Sequence, residues 1–452
     1  MAWFRFLGNT HVRHEKHTAA MPAVRPRTDA DGAPIPKEVV LPMTQHIGAP
    51  ATPTVKVGDT VKVGQCIGEA SGYVSAPIYA SVSGKVKKIE PLLLSNGRAV
   101  SAVRIENDGL YTPDDTLTPP TITDFDSLRA AVQACGLVGL GGAGFPTAVK
   151  LDAEKKGLLK TIVVNGAECE PYITSDTRTM IDRSRDVYEG ILLLLTHLSV
   201  EDCVIGIEEN KPEAIAEMRR VFADEGRVSV KVLPDKYPQG GEKVLIYNTV
   251  GRTVPEGGLP ADVGVLVINV TTAAELGRFA RDGMPLTEKT VTVDGSAVRE
   301  PKNITVPIGT PIADVIEMAG GLSCEAGKVL YGGPMMGVAV YDLTNPVTKT
   351  TNGLTVLSRA DAKHTAPLDC IHCGRCVAHC PMHLMPTQLE SYAALPEEAD
   401  RMARLEDAKL MLCIECGCCS YVCPSHRPLV QSHRLAKADL RDYKAHHASL
   451  KK

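Results

Sequence analysis

Aromatic side chains are scarce in this sequence. They make up 4% of its 452 residues, with one tryptophan and six phenylalanines, so its cores must be aliphatic. An excess of positive charge is also missing. The net charge is −4, which argues against nucleic acid as a partner. The longest apolar runs, "GILLLL" and "VGVLVINV", fall far short of the roughly 20 residues a membrane helix needs. The opening stretch "MAWFRFLGNTHVRHEKH" has no apolar segment of the kind a secretory leader carries. These absences lead us to expect an intracellular protein, soluble or attached to a membrane at its periphery. What is present is a globular composition, 44% apolar and 23% charged. The length suits about three or four domains of roughly 100–150 residues each.

Cysteine is abundant: 14 residues, nine of them between positions 370 and 423. Without export, that density points to metal rather than disulfides. Two segments repeat one pattern, "CIHCGRCVAHCP" and "CIECGCCSYVCP". Each reads C-x2-C-x2-C-x3-C-P, the run that wraps three thiolates around one cubane and lends its fourth to the other cluster. Cluster one is therefore assigned to Cys370, Cys373, Cys376 and Cys423. Cluster two is assigned to Cys413, Cys416, Cys419 and Cys380. A structural zinc site would use paired C-x2-C and has no need of this triple spacing followed by C-P, twice. Cys418, inside the second motif, reads as a packing thiol. Two clusters in series make a one-electron wire, which requires a source and a sink.

Residues 1–37 are polar and Pro-rich, an irregular arm. Residues 38–110 alternate short apolar steps with glycine turns and resemble the barrel-sandwich fold of lipoyl and biotinyl carriers. The segment between the two halves has no lysine to carry a prosthetic group, so a structural role is expected. After a linker, residues 125–288 alternate helix and strand, which implies a parallel sheet covered on both faces. There "DFDSLRAAVQAC" predicts a helix capped by Asp124 or Asp126, and "DTRTMIDRSRDVYEGILLLLTHL" predicts one long helix. Residues 289–357 read as a small α+β domain of β-grasp type, with a hairpin at the D-G of "TVTVDGSAV". Residues 366–430 hold the cysteine motifs, separated by a helix "TQLESYAALPEEADRMARLEDAKLM", in a helical variant of the ferredoxin fold. Residues 431–452 predict a basic helical tail, read as solvated or as docking to a partner or membrane surface.

The segment "GLVGLGGAGFPTAVKL" contains G-x-G-x-x-G, a weak sign of dinucleotide binding. It follows a helical segment rather than a strand, and Asp152 and Glu154 come too early for the acidic residue expected about 20 positions on, so the standard Rossmann reading fails. Four glycines in six positions still leave a backbone bare enough to approach a phosphate or a flat ring.

This loop, "VVNGAECEPYITSD", "GGEKVLI" and "INVTTAAEL" together resemble the flavin- and NADH-binding subunit of respiratory complex I. The barrel-like domain before them, "LPMTQHIGAP", "GGPMMG" and the twin cluster motifs resemble one branch of it, the RnfC family of the Rnf electron-transport complex. The resemblance spans roughly residues 38–430. It implies a multidomain α/β protein: a barrel-sandwich domain, a Rossmann-like flavin domain, a β-grasp domain of SLBB type, and a ferredoxin-like domain with two [4Fe–4S] clusters. It implies that Gly139, Gly141, Gly142 and Gly144 shape an FMN loop, and that Lys150 meets the FMN phosphate or ribityl chain. Asn165 and Glu168 would bond the flavin, Asn269 would sit near its phosphate, and Gly241 and Glu242 would line the site. Phe145 would stack on the nicotinamide nucleotide and Glu170 would bind it. Ala167, Lys243 and Pro238 depart from the family pattern, which has an acid, a second Glu and a Tyr there. The implied activity is hydride exchange between NADH and FMN, then single-electron transfer through the clusters to or from other subunits of an ion-translocating membrane complex. Ferredoxin would be the redox partner of that complex, and the chain would be peripheral on the cytoplasmic side. Two other readings stay open at this stage: a cobalamin reductase, in whose family the barrel is expected after the flavin domain, and an electron carrier without flavin.

Overall fold

The computed structural model of the chain describes residues 10–25, 36–95 and 97–449. Parts of the expected arm 1–37 and the end of the tail 431–452 lie outside them. In the first domain, glycine turns separate short strands that form two antiparallel sheets. One orders Glu38–Pro42, Ala99–Asn107, Gly84–Leu93 and Thr60–Val61; the other orders Thr52–Pro53, Cys66–Glu69 and Ile78–Tyr79. They bury Val39, Leu41, Val103 and Ile105 completely. The segment between the halves is docked, which fits a structural role. Ser75 O accepts from Gln133 Nε2 at 3.2 Å, and the Lys349 ammonium bridges Pro77 O (2.7 Å) and Gly136 O (2.8 Å). One aliphatic core runs from this domain into the next.

The α/β domain holds a four-stranded parallel sheet. In space its order is Val228–Leu233, Asp202–Glu208, Thr161–Asn165, Val265–Asn269. Ile162, Val163 and Val164 are fully buried in succession, as a strand covered on both faces requires. By chain order the strands run third, second, first, fourth, so the strand order reverses between the first and the fourth. Such a reversal opens a crevice at the carboxyl ends of the two strands. The helix Phe125–Ala134 is capped by Asp124, whose carboxylate accepts from Ser127 N at 2.8 Å. The long helix expected over residues 176–198 is two, Ser175–Asp182 and Ser184–His197, broken at Arg183. That side chain pairs with Asp186 (2.8 Å) and with Glu275 (2.5 Å) on the helix Val270–Asp282, an ion group that helical periodicity does not register.

The third domain is a mixed five-stranded sheet of Lys302–Pro307, Glu288–Asp294, Gly353–Ser358, Ala326–Tyr331 and Val338–Ala339, with the helix Ile312–Met318. The D-G pair does not make the tight hairpin expected. Val293 pairs with Lys302, and residues 295–301 loop out between the strands. Gly295 (φ +120°) lets the chain pass the neighbouring strand, since a Cβ there would come 2.3 Å from Val356 O.

In the last domain the single helix expected between the cysteine motifs is also two, Pro386–Ala393 and Glu398–Asp407. Pro396 follows the first of them and cannot continue it. The tail is a helix, Leu429–Ser449, but it is not simply solvated: Ala436 and Leu440 join Leu389, Met402 and Leu405 in the domain core. The domain therefore does not end at 430. No helix among the described residues is long and apolar enough to cross a membrane.

Candidate functional site

The crevice at the sheet reversal is where the sequence candidates gather. Asn165 and Asn269 end adjacent parallel strands and pair in register across them. Asn269 caps the helix Val270–Asp282, its Oδ1 accepting from Thr271 N (3.0 Å) and Thr272 N (3.3 Å). Its Nδ2 donates to Asp176 at 2.8 Å. Asn165 Nδ2 donates to Gly240 O at 3.0 Å, and its Oδ1 accepts from Ala167 N at 3.2 Å. Each amide thus uses both its donor and its acceptor in holding the surroundings of the crevice.

The glycine loop comes from before the first strand and lies across the fourth. Leu140 N donates to Thr272 Oγ1 at 3.1 Å. A Cβ on Gly141 would stand 2.3 Å from Asn269 Nδ2, so only glycine lets the loop settle on that cap. Gly144 (φ +70°) packs on the first domain, and its carbonyl accepts from Ile47 N at 3.1 Å. Gly142 differs: a Cβ there would meet nothing within 4 Å, so a bare stretch of backbone faces open space. Phe145 is half-buried, and its carbonyl accepts from Gly139 N at 2.9 Å.

Opposite stands the helix Glu242–Val250, begun by Gly241 with no side chain capping its N-terminal N–H groups. Lys150 donates to Val267 O at 3.3 Å and lies 3.6 Å from Glu242. An uncapped helix start, a lysine and a side-chain-free loop form a donor set that suits a phosphate. The FMN expected from the sequence fits this group of residues.

Two carboxylates are engaged elsewhere. Glu168 (φ +48°) caps the helix Ser175–Asp182, accepting from Asp176 N (2.6 Å) and Thr177 N (3.0 Å). Burial raises its pKa to about 7, against the pull of the Lys16 ammonium. Glu170 accepts from Met336 N (2.6 Å) and Met335 N (3.2 Å) in the "GGPMMG" loop. Tyr237 OH lies 3.4 Å from Glu170 and donates to Cys416 O at 2.8 Å, so a short polar chain joins the α/β domain to the second cysteine motif. Sequence reasoning assigned no role to Tyr237, Lys16 or Asp176. Asp176 lies inside a motif that was recognised, whereas nothing local marks the other two.

All fourteen cysteines are free thiols. Cys380 of the first motif lines one cavity with Cys413, Cys416 and Cys419 of the second, beside Pro381 and His433. Cys376 and Cys423 pack with Cys419, Leu429 and Val430. Cys370 is half-buried and Cys373 exposed, so the first motif lies toward solvent. Cys418, 1% exposed, packs against Cys169 and Tyr237 at the domain boundary. A tetrahedral zinc with Zn–S near 2.3 Å would hold its sulfurs ~3.8 Å apart. Among the described residues, the group whose metal-binding atoms all lie within 4.8 Å of one another is His14, Glu208 and Asp235, not a set of cysteines. Free thiols gathered from both motifs, but spaced more widely than one zinc requires, fit iron–sulfur cubanes.

Comparison with known proteins finds four family models in chain order. Residues 4–110 match the RnfC barrel sandwich hybrid domain and residues 132–278 the Nuo51 FMN-binding domain. Residues 290–339 match the SLBB domain and residues 369–426 a 4Fe-4S dicluster domain. Three relatives are each the subunit designated C of an ion-translocating complex. One belongs to the Na(+)-translocating ferredoxin:NAD(+) oxidoreductase complex of Acetobacterium woodii, and the chain is 45% identical to it over 408 residues, covering 90% of this chain and 91% of that one. A second belongs to the proton-translocating ferredoxin:NAD(+) oxidoreductase complex of Clostridium ljungdahlii, with 42% identity over 391 residues, covering 85% and 83%. A third belongs to the ion-translocating oxidoreductase complex of Rhodobacter capsulatus, with 40% identity over 444 residues, covering 97% and 83%.

Proposed function

The chain belongs to the RnfC family of the ion-translocating ferredoxin:NAD(+) oxidoreductase complexes, and from that premise we propose how its residues divide the work. It is the NADH-oxidising electron-input subunit of such a complex, an oxidoreductase carrying FMN and two [4Fe–4S] clusters, with the other subunits and ferredoxin as partners. FMN supplies the change from hydride chemistry to single-electron chemistry that joins NADH to the clusters. The absence of a membrane-crossing helix among the described residues is consistent with peripheral association. We place the chain on the cytoplasmic face, where NADH is.

Gly139, Gly141, Gly142 and Gly144 give the flavin a close approach to backbone N–H groups. Lys150 and the helix start at Gly241 and Glu242 hold its phosphate end, and Asn165 and Asn269 define the floor of the crevice. Phe145 offers its ring to the nicotinamide nucleotide. Glu168 and Glu170 support the site by holding a helix start and the 335–336 loop. Cys413, Cys416, Cys419 and Cys380 hold the cluster nearer the flavin; Cys370, Cys373, Cys376 and Cys423 hold the outer one. The observation that carries the flavin assignment is the register pair Asn165–Asn269 beneath a glycine loop whose Gly142 opens on free space.

The test is to reconstitute the protein, release its flavin and quantify it by fluorescence, then add NADH. One FMN per chain, with flavin absorbance bleached by NADH, is expected. Iron and sulfide without flavin would leave only an electron carrier.

A further inference from the structure

The described part of the N-terminal arm is stitched onto the α/β domain beside the crevice. Thr10 bridges Tyr237 through backbone bonds of 2.9 and 3.3 Å. His14 O accepts from Tyr172 N at 2.7 Å, and His14 Nε2 meets Asp235 at 2.5 Å. Just beyond these anchors the Lys16 side chain enters the loop that joins the first strand to the helix Ser175–Asp182. Its Nζ donates to three backbone carbonyls: Glu168 O at 2.8 Å, Glu170 O at 2.7 Å and Ile173 O at 2.5 Å. An ammonium has three N–H donors and no acceptor, so donors and carbonyls match one to one.

The loop needs such a tie. Glu168 (φ +48°) and Tyr172 (φ +69°) both adopt the left-handed region, which costs non-glycine residues free energy and persists only where the surroundings enforce it. Three carbonyl oxygens aimed at one point repel each other unless a cation sits there. Burial, with the Lys211 ammonium nearby, draws the Lys16 pKa down to about 8, which still leaves it charged at neutral pH. Two of the residues whose carbonyls Lys16 holds, Glu168 and Glu170, are those whose carboxylates cap the helix Ser175–Asp182 and grip Met335 and Met336. Asp176, at the start of that helix, in turn fixes Asn269.

We propose that Lys16 is a positioning residue of the flavin site: its ammonium, delivered by the arm, sets the Glu168–Ile173 loop and through it the floor of the crevice. The inference rests on the FMN reading given above. Lys16 touches neither cofactor nor substrate; it acts through the loop.

The experiment measures FMN affinity of the flavin-stripped full chain by fluorescence quenching, with iron and sulfide content determined on the same sample. Lys16→Ala should bind FMN at least tenfold more weakly with both clusters retained. Propylammonium in the buffer should restore most of the loss, and tetramethylammonium, which has no N–H, should not. Wild-type affinity in Lys16→Ala, or a loss that propylammonium leaves unchanged, overturns the proposal. If Lys16→Ala loses its iron, Lys16→Met, which keeps the stem and removes the charge, decides instead: weakened FMN supports the proposal and full affinity overturns it. Wild-type protein that binds no FMN sinks the flavin reading itself, an outcome distinct from either.

Discussion

At the scale of single residues, neighbouring glycines of one loop have different reasons to be glycine. Gly141 is bare because the Asn269 amide packs on it, whereas Gly142 is bare although no protein atom is near. A side chain at 142 therefore burdens only what approaches the loop. Gly142→Val is expected to leave folding and both clusters intact and to weaken FMN at least tenfold, about 1.4 kcal/mol, read as flavin released per iron. Gly141→Ala should instead lower the melting temperature, because displacing Asn269 from its cap and from Asp176 costs about 1–3 kcal/mol. Glu275 is the residue through which acid should act. Burial by itself would raise its carboxyl, but Arg183 at 2.5 Å and Arg278 at 2.8 Å override that and hold its pKa at about 2. A depressed carboxylate contributes its stability in full above the ordinary glutamate pKa and loses it as pH falls toward the folded value. The contribution, about 3 kcal/mol, should be constant at neutral pH and vanish between about pH 4.3 and 2. Glu275→Gln should cost about 3–5 kcal/mol at pH 7, because it leaves buried guanidinium charge uncompensated. Chemical denaturation against pH checks both, and a variant whose acid limb matched the wild type's would remove Glu275 from the account.

At the scale of elements, the helices Ser184–His197 and Val270–Asp282 pack backbone against backbone. A Cβ on Gly190 would lie 1.9 Å from Ala273 O, and one on Gly277 would lie 2.2 Å from Asp186 O. Gly277→Ala gains about 1 kcal/mol of helix propensity. Parting two backbones costs more, on the order of 1–3 kcal/mol or above. The clash should win, so the variant should melt lower; a higher melting temperature would show that the two helices separate easily. The same contact holds Val270–Asp282, the helix that Asn269 caps beneath the glycine loop.

At the scale of the whole molecule, the second cysteine motif faces the flavin domain and the first faces outward. Tyr237 OH reaches Cys416 O, a Cβ on Gly241 would stand 3.4 Å from Ile414 Cδ1, and one on Gly417 would stand 2.6 Å from Met335 O. Ile371, beside Cys370, is 67% exposed. Electrons from the flavin should reach the inner cluster first. In Cys373→Ser, NADH should still reduce the inner cluster, whereas in Cys416→Ser reduction of the outer one should be lost or slowed at least tenfold. Freeze-quenched electron paramagnetic resonance separates the two signals. Rapid reduction of the outer cluster in Cys416→Ser would reverse the order.

By itself the sequence determined whatever depends on neighbours along the chain. The C-x2-C-x2-C-x3-C-P runs are local geometry, so their readiness for clusters was legible. So was the alternation of helix and strand over residues 125–288, because a strand buried on both faces, such as Thr161–Asn165, leaves an apolar run. The helix breaks were less legible. Pro396 is visible, but the helix break at Arg183 coincides with partners that include Glu275, ninety-two positions away. Only the tertiary structure decided the rest: the register that sets Asn165 beside Asn269, the commitment of Glu168 and Glu170 to backbone N–H groups, and the reach of Lys16 into a loop some 150 positions on. Long-range contacts of this kind arise when packed layers bring distant backbone together. They leave no period or spacing in the sequence, because each is made once, between residues that share no local pattern.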